Sequence, residues 1–206
     1  MAEGRPRRRR EDRVTEAQAG RLTSVLASSA LLAPVLRRWP DIGLPNGWLA
    51  AGAVAQTIWN VAHGYPPDAN IRDIDLAYFD AGDLSAEAEA RNETRITNLF
   101  SDLGVAVDVK NEARVHLWYP AKFGYSIAPY RSAEEAIATF PTTATAVGVR
   151  PHGSQLEICA PFGLDDLLGL VVRPNKAQIT RAIYEAKVAR WRLCWPNLKI
   201  CDWEIH

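Results

Sequence analysis

From Thr15 to Arg38 the apolar residues Leu22, Val25, Leu26, Leu31, Leu32, Val35 and Leu36 recur at three- and four-residue spacings. This predicts an amphipathic helix or a pair of them, broken near Pro34 and ended by Pro40. Gly47-Trp48-Leu49-Ala50-Ala51 predicts a short buried strand running into Gly52. There the period changes, and Val54, Ile58, Trp59 and Ala62 share one helical face up to His63-Gly64. Beyond a loop marked by Pro66 and Pro67, the run Ile71 to Phe79 is the most strand-like of the chain. Ser85 caps a helix that runs to Leu103-Gly104, and the strict alternation of Val105-Ala106-Val107-Asp108-Val109 predicts another strand. Val115 to Tyr119 reads as a third. Ser132 caps a short helix stopping at Pro141, and Thr145–Val149 and Gln155–Cys159 read as extended pieces joined by a turn at Pro151-His152-Gly153. Leu164 to Val172 is mixed in character, and a long C-terminal helix starts at Asn175 or a neighbour and reaches Trp195-Pro196.

The order strand, helix, strand, helix, strand predicts a mixed or parallel sheet covered by helices, an α/β or α+β layered domain. No boundary divides it, so residues 15–206 are expected to form one domain. Residues 1–14, with the run Arg5-Pro6-Arg7-Arg8-Arg9-Arg10, are expected to be a disordered basic tail. That tail reads either as an arm touching nucleic acid or as a merely solvated end. Overall, 24 lysines and arginines balance 24 aspartates and glutamates, so no global field draws the chain to nucleic acid or membrane. Three cysteines without C-x-x-C spacing supply neither a disulfide framework nor a zinc site. With no secretory h-region and no membrane-length apolar stretch, a cytoplasmic protein is expected.

The candidate chemistry lies in three carboxylates. Alternation along a strand points Asp73 and Asp75 to one face and Ile74 and Leu76 to the other. Their α-carbons are then about 6.6 Å apart, close enough to converge on a hard cation. In the later strand the valines share one face, which leaves Ala106, Asp108 and Lys110 on the other. A carboxylate in an apolar strand is costly to bury without a partner. If the two strands are neighbours, Asp73, Asp75 and Asp108 share a face and suit two metal ions about 3.5–4 Å apart. Taken alone, Asp-x-Asp also fits a solvated edge strand with Arg72 as surface partner. Gly52-Ala53 opens a helix whose free amides favour an anion, or simply forms a close-packed turn.

Together these residues resemble the DNA polymerase beta-like nucleotidyltransferase superfamily, whose pattern is an apolar strand, a glycine opening a helix, Asp-x-Asp on the next strand and an acid on a later one. Gly52, Asp73, Asp75 and Asp108 hold the matching positions. The chain further resembles a smaller bacterial family of nucleotidyltransferases of unassigned substrate. Ala51-Gly52-Ala53-Val54, Arg72 to Asp80, Val109 to Trp118, Ala144 to Val149 and Ala160 to Leu167 carry that likeness, within roughly Gly47 to Pro196. The resemblance implies a mixed β-sheet flanked by helices, with an N-terminal helical segment and a long C-terminal helix. It also implies transfer of a nucleoside monophosphate from a nucleoside triphosphate to an acceptor, with Mg2+ (two ions, or Mn2+) held by Asp73, Asp75 and Asp108. The acceptor, whether small molecule, protein or RNA, is not supplied by it. Ala53 departs from the superfamily's Gly or Ser, and the loop His63 to Asn70 lengthens the gap from Gly52 to Asp73.

Gly52, Ala53, Lys110 and Arg114 are the candidate nucleotide-binding residues. The two cations either hold triphosphate oxygens or neutralise nearby aspartates. His116 reads as a base or as a core histidine, Asn111 as a turn or network residue, and Asp165-Asp166 as a helix cap. Trp191 and Trp195, four apart on one helical face, read as core packing or as a base-stacking pair. Two other functions compete with nucleotidyl transfer: a catalytically silent nucleotide-binding module of the same fold, and an Asp-x-Asp glycosyltransferase.

Overall fold

The computed structural model describes residues 14–204. All of the expected basic tail except Val14 lies outside them.

A mixed five-stranded sheet orders the molecule. Its strands are β1 (Trp48–Ala50), β2 (Asp73–Tyr78), β3 (Ala106–Asn111), β4 (Gly148–His152) and β5 (Gln155–Cys159), in spatial order β3-β2-β1-β4-β5. β2 and β3 run parallel, and every other neighbouring pair is antiparallel. One face carries Leu49, Ile74, Leu76, Tyr78, Val107, Val109 and Val149, all in the main core. On the other face Trp48, Ala50 and Ala77 pack with Ala133 and Ile137 as a smaller apolar cluster. The carboxylate-bearing positions belong to that second face, because their strands alternate.

Helices α1 (Glu16–Ala27), α4 (Gly52–Ala62), α5 (Ala86–Leu99) and α9 (Arg181–Cys194) are the long ones, with Thr15, Ser85 and Thr180 as side-chain N-caps of α1, α5 and α9. Tyr184, Val188, Trp191 and Trp195 recur along α9 and its end and are all buried. Trp59 of α4 meets Trp191 and Trp195 edge-on, with ring centroids 5.2 and 5.4 Å apart. Trp195 Nε1 also donates to Asn60 Oδ1 at 2.7 Å, while Asn60 Nδ2 donates to the Pro67 and Ala69 carbonyls. The two tryptophans are therefore core residues that fix α9 to α4 and to the loop after it.

Several expectations are corrected. The N-terminal helical segment breaks at Ser28–Leu31, where Asp68 accepts from the Ala30 amide and the Ser29 hydroxyl. It does not break at Pro34, which sits inside α2 (Leu32–Arg37). Pro40 lies in the first turn of α3 (Trp39–Ile42), where a missing N–H costs nothing. Val115–Tyr119 is not a strand but the start of helix α6 (Val115–Phe123). The Asn111 side chain accepts from the Ala113 amide and begins a 3-10 turn, after which Val115 and Tyr119 are buried on one helical face and Leu117 is 54% exposed. The short helix α7 (Ala133–Ile137) has Ser132 as its cap. The extended piece expected from Thr145 begins only at Gly148, because Thr142 and Thr145 close a turn through their hydroxyls at 2.8 Å. α9 opens at Thr180 rather than near Asn175, whose Nδ2 donates to the Ala138 and Phe140 carbonyls. Asp165 and Asp166 form the first turn of α8 (Asp165–Leu168), capped by neither; Asp166 instead accepts from Thr143 and Arg173. A two-stranded parallel ribbon, β6 (Val171–Val172) with β7 (Lys199–Ile200), completes the fold. Among the described residues no helix is long and apolar enough to cross a membrane.

Candidate active site

The parallel pairing of β2 with β3 sets Asp73 opposite Ala106, Asp75 opposite Asp108 and Ala77 opposite Lys110. Paired positions in a sheet point the same way, so Asp73, Asp75, Asp108 and Lys110 share one face. All four line a cleft of about 320 Å³, with Gly52 and Gln56 from α4 and Lys187, Arg190 and Trp191 from α9.

Asp75, on the strand next to the sheet edge, sits between Ala50 on β1 and Asp108 on β3. Burial, then repulsion from Asp73 and Asp108, pushes its carboxyl up to about 7; Lys187 and the Gly52 amide work the other way. Asp108 Oδ1 is paired with Lys110 Nζ at 2.6 Å. No three His, Cys, Asp or Glu side chains among the described residues are gathered closely enough to hold an ion.

The entry to α4 is a sharp corner. Ala51 has φ 54° and ψ −118°, a conformation that a residue with a Cβ seldom adopts, and its amide donates to the Val147 carbonyl at 2.9 Å. The corner turns the Gly52 amide toward Asp75. A Cβ at Gly52 would stand 3.0 Å from Gln56 Nε2 and 3.5 Å from Asp75 Oδ2. The glycine therefore keeps the backbone close to the carboxylate. Ala53, by contrast, is fully buried in the core and does not line the cleft.

Three sequence candidates, Arg114, His116 and Asn111, do not line the cleft. Arg114 donates to Glu89 Oε1 at 2.6 Å and to the Leu84 carbonyl, and it is not a lining residue of the cleft. His116 lies on α6, its Nδ1 buried without a hydrogen-bond partner. Asn111 is a network residue. Its Oδ1 accepts from the Asp80 and Ala113 amides, its Nδ2 donates to the Asp80 carbonyl, and its own amide donates to Glu89.

Three residues that the sequence did not point to line the cleft. Lys187 makes no ion pair among the described residues, and burial pulls its ammonium below the ordinary value, partly offset by Asp75 and Asp73. Arg190 follows one helical turn later. Glu112, 7% exposed, is pushed up to about 8 by burial and then by Glu89 and Asp75. The signal for Lys187 and Arg190 was the phase of α9. They flank the buried stripe Tyr184–Val188–Trp191, but only the docking of that helix shows that the flank overhangs the carboxylates.

The chain is similar to a solved structure described as "The NMR structure of the protein reveals a CCA-adding enzyme head domain". The TM-score is 0.73 and the identity 27%, over 89% of this chain and 95% of that one. Comparison with curated proteins finds no match. A strand–glycine–helix corner faces Asp-x-Asp and a third carboxylate in register, and residues 37–200, most of the chain, match a family described as "Nucleotidyltransferase"; the chain belongs to that family and is an enzyme of the nucleotidyltransferase fold.

Proposed function

We propose that the cleft carries out metal-dependent transfer of a nucleoside monophosphate from a nucleoside triphosphate to an acceptor hydroxyl. The observation that carries this reading is the in-register pair Asp75–Asp108, joined by Asp73 on one sheet face, beneath the N-terminus of α4. In balance, the acceptor oxygen bonds to the α-phosphorus, the bond from that phosphorus to the β-phosphate oxygen breaks, and pyrophosphate leaves with the electron pair. The acceptor proton passes to solvent or a carboxylate.

The donor set fits a hard divalent cation. It consists of carboxylate oxygens facing one cleft, and the Asp75 carboxyl, raised first by burial and then by Asp73 and Asp108, would gain from a cation beside it. Asp73, Asp75 and Asp108 would hold Mg2+, as two ions, with Mn2+ a substitute; Asp108 would turn from Lys110 to do so. When bound, the metal supplies charge neutralisation at the triphosphate and a more acidic acceptor hydroxyl. The chain's own part is positioning. The amide of Gly52 faces the anion at a helix start, Lys187 and Arg190 hold phosphate oxygens from above, and Lys110 is freed to join them once Asp108 turns. Arg114 positions β3 and α5 through Glu89 rather than reaching the nucleotide. The glycosyltransferase alternative has no support in the family match.

The test is to incubate the protein with each labelled nucleoside triphosphate, magnesium and a small-molecule and macromolecular acceptor pool. Labelled product and released pyrophosphate, both lost on chelation, are expected. Triphosphate binding without product from any pool would instead favour the silent binding module.

A further inference from the structure

Beside the carboxylate cleft lies a second one of about 430 Å³, and five residues, Lys110, Glu112, Phe140, Pro141 and Lys187, line both. The two are therefore adjoining rooms with a common wall. The outer room is walled by aromatic side chains, chiefly Trp118, Tyr119, Phe123, Tyr130 and Phe140.

The phenols are already tied down. Tyr130 Oη donates to the Gln178 side-chain oxygen at 2.6 Å and lies 2.8 Å from Thr139 Oγ1. Tyr119 Oη is 3.1 Å from Tyr125 Oη, which itself donates to the Gln178 carbonyl at 2.6 Å. With their hydroxyls engaged, these residues offer a ligand fixed rings rather than free hydrogen-bonding groups. The free polar groups are few and charged. Lys122 sits at the open end with its Nζ 5.4 Å from the Trp118 ring centroid, and it has no carboxylate partner among the described residues. Glu112 sits at the common wall, its carboxyl making no hydrogen bond or ion pair among the described residues. A volume of this size, mostly apolar with a few placed polar groups, suits a small molecule. Three lysines line it, but Lys110 is paired with Asp108 and Lys187 stands at the common wall, so Lys122 alone lies away from the carboxylate cleft, and it makes no basic track of the kind a polymer would need.

We propose that this second cleft is the acceptor subsite and that the acceptor is a small hydroxylated aromatic molecule bearing an anionic group. Its ring lies against Trp118 and Phe140, its anion meets Lys122, and its hydroxyl donates to Glu112 at the common wall, facing the α-phosphate. The assignment of the room as an acceptor site rests on the transfer reading given above; its ligand class rests on the lining alone.

Binding of hydroxyphenylacetate, with phenol as the uncharged comparison, can be followed by ligand-observed NMR. It is measured on the whole protein with and without magnesium and non-hydrolysable triphosphate analogues. Hydroxyphenylacetate is expected to bind at millimolar concentration or below, more tightly than phenol, and to remain bound when the nucleotide analogue is present. Trp118→Ala and Lys122→Ala, both at partly or fully exposed positions, are expected to weaken it at least tenfold and to leave nucleotide affinity within twofold. Glu112→Ala should weaken it several-fold, and Glu112→Gln, which keeps an acceptor oxygen, should restore most of the loss. No binding at millimolar concentration, or binding indifferent to Trp118→Ala, overturns the proposal. Mutual exclusion with the nucleotide also overturns it and makes the room a nucleobase site. An oligoribonucleotide that displaces the probe at lower concentration overturns it in favour of an RNA acceptor. If no nucleotide binds while probe binding keeps its Trp118 dependence, the transfer reading falls and the ligand class stands.

Discussion

Asp75 and Asp108 stand directly opposite each other on adjacent parallel strands, on the sheet face that the valines of β3 leave free. Two carboxylates in that relation repel in the metal-free protein, and Asp73 on the same face adds to the repulsion. The apolar face beneath them holds the strands in register regardless, so the charge is set against stability.

Asp75→Asn should therefore abolish transfer, by roughly a hundredfold or more, since several kcal/mol of charge stabilisation depends on the carboxylates acting together. The metal-free variant should melt at or above the wild-type temperature. Product formation and thermal melting in chelator test the two halves separately. Near-normal transfer by this variant would make the three aspartates structural.

Glu112 gives a pH dependence with a definite sign. Its folded pKa of about 8 lies above the ordinary 4.5, so between those values the folded state binds the extra proton. Stability from this group is complete below the ordinary value and is lost as pH rises through about 8. Glu112→Gln removes the loss. Urea unfolding should show the variant close to wild type near about pH 5 and more stable near about pH 9. A gain of equal size at both pH values would mean that charge is not its cause.

The docking of α9 should be costly to disturb. Trp195→Phe leaves Asn60 Oδ1 without its buried donor, at a cost of about 1–3 kcal/mol. Trp191→Ala opens a cavity against Trp59, at about 3–5 kcal/mol. Denaturant titration measures both. If α9 positions the phosphate-facing cations, Trp195→Phe should also weaken triphosphate binding at a temperature where the protein remains folded.

The sheet was legible because its two chemically decisive strands alternate cleanly. Ile74, Leu76, Val107 and Val109 are buried on one side, which forces Asp73, Asp75 and Asp108 to the other. The Ser85 and Ser132 caps and the corner at Gly52 were legible for the same reason, that the cause is local. Val115–Tyr119 misled because Val115, Leu117, Trp118 and Tyr119, interrupted only by His116, carry no clear period of their own; the Asn111 turn before them decided for helix. Arg114 was close to the carboxylates in sequence and is held by Glu89 in space. Lys187 and Arg190 are distant in sequence and overhang the cleft, a placement set by contacts of Trp191 and Trp195 that no local pattern encodes.

Gly52→Ala separates fold from function. The added Cβ would meet the end of the Gln56 side chain at 3.0 Å, and alanine favours the first turn of a helix, so stability should change by less than about 1 kcal/mol. The methyl would nevertheless stand beside Asp75 at the helix entrance where phosphate is proposed to lie. Triphosphate affinity by calorimetry should fall about tenfold or more, a loss of about 1.4 kcal/mol. Unchanged affinity would move the phosphates away from α4.

Lys187 is the sharpest test of where the triphosphate lies. Its side chain is exposed and unpaired among the described residues, and it faces the same cleft as the three aspartates. An exposed, unpaired ammonium contributes little to the free protein's stability, so its charge is open to a bound polyanion. Lys110 differs, since Asp108 already satisfies it at 2.6 Å. Lys187→Met should therefore leave the free protein about as stable as wild type, while weakening magnesium-triphosphate binding about tenfold or more. Lys110→Met should weaken it less, because its contribution is first spent on Asp108. Parallel melting and calorimetric titration of the two variants decide between them. If Lys187→Met binds the triphosphate as wild type does and Lys110→Met does not, the phosphates lie along β3 and the cations of α9 serve the fold instead.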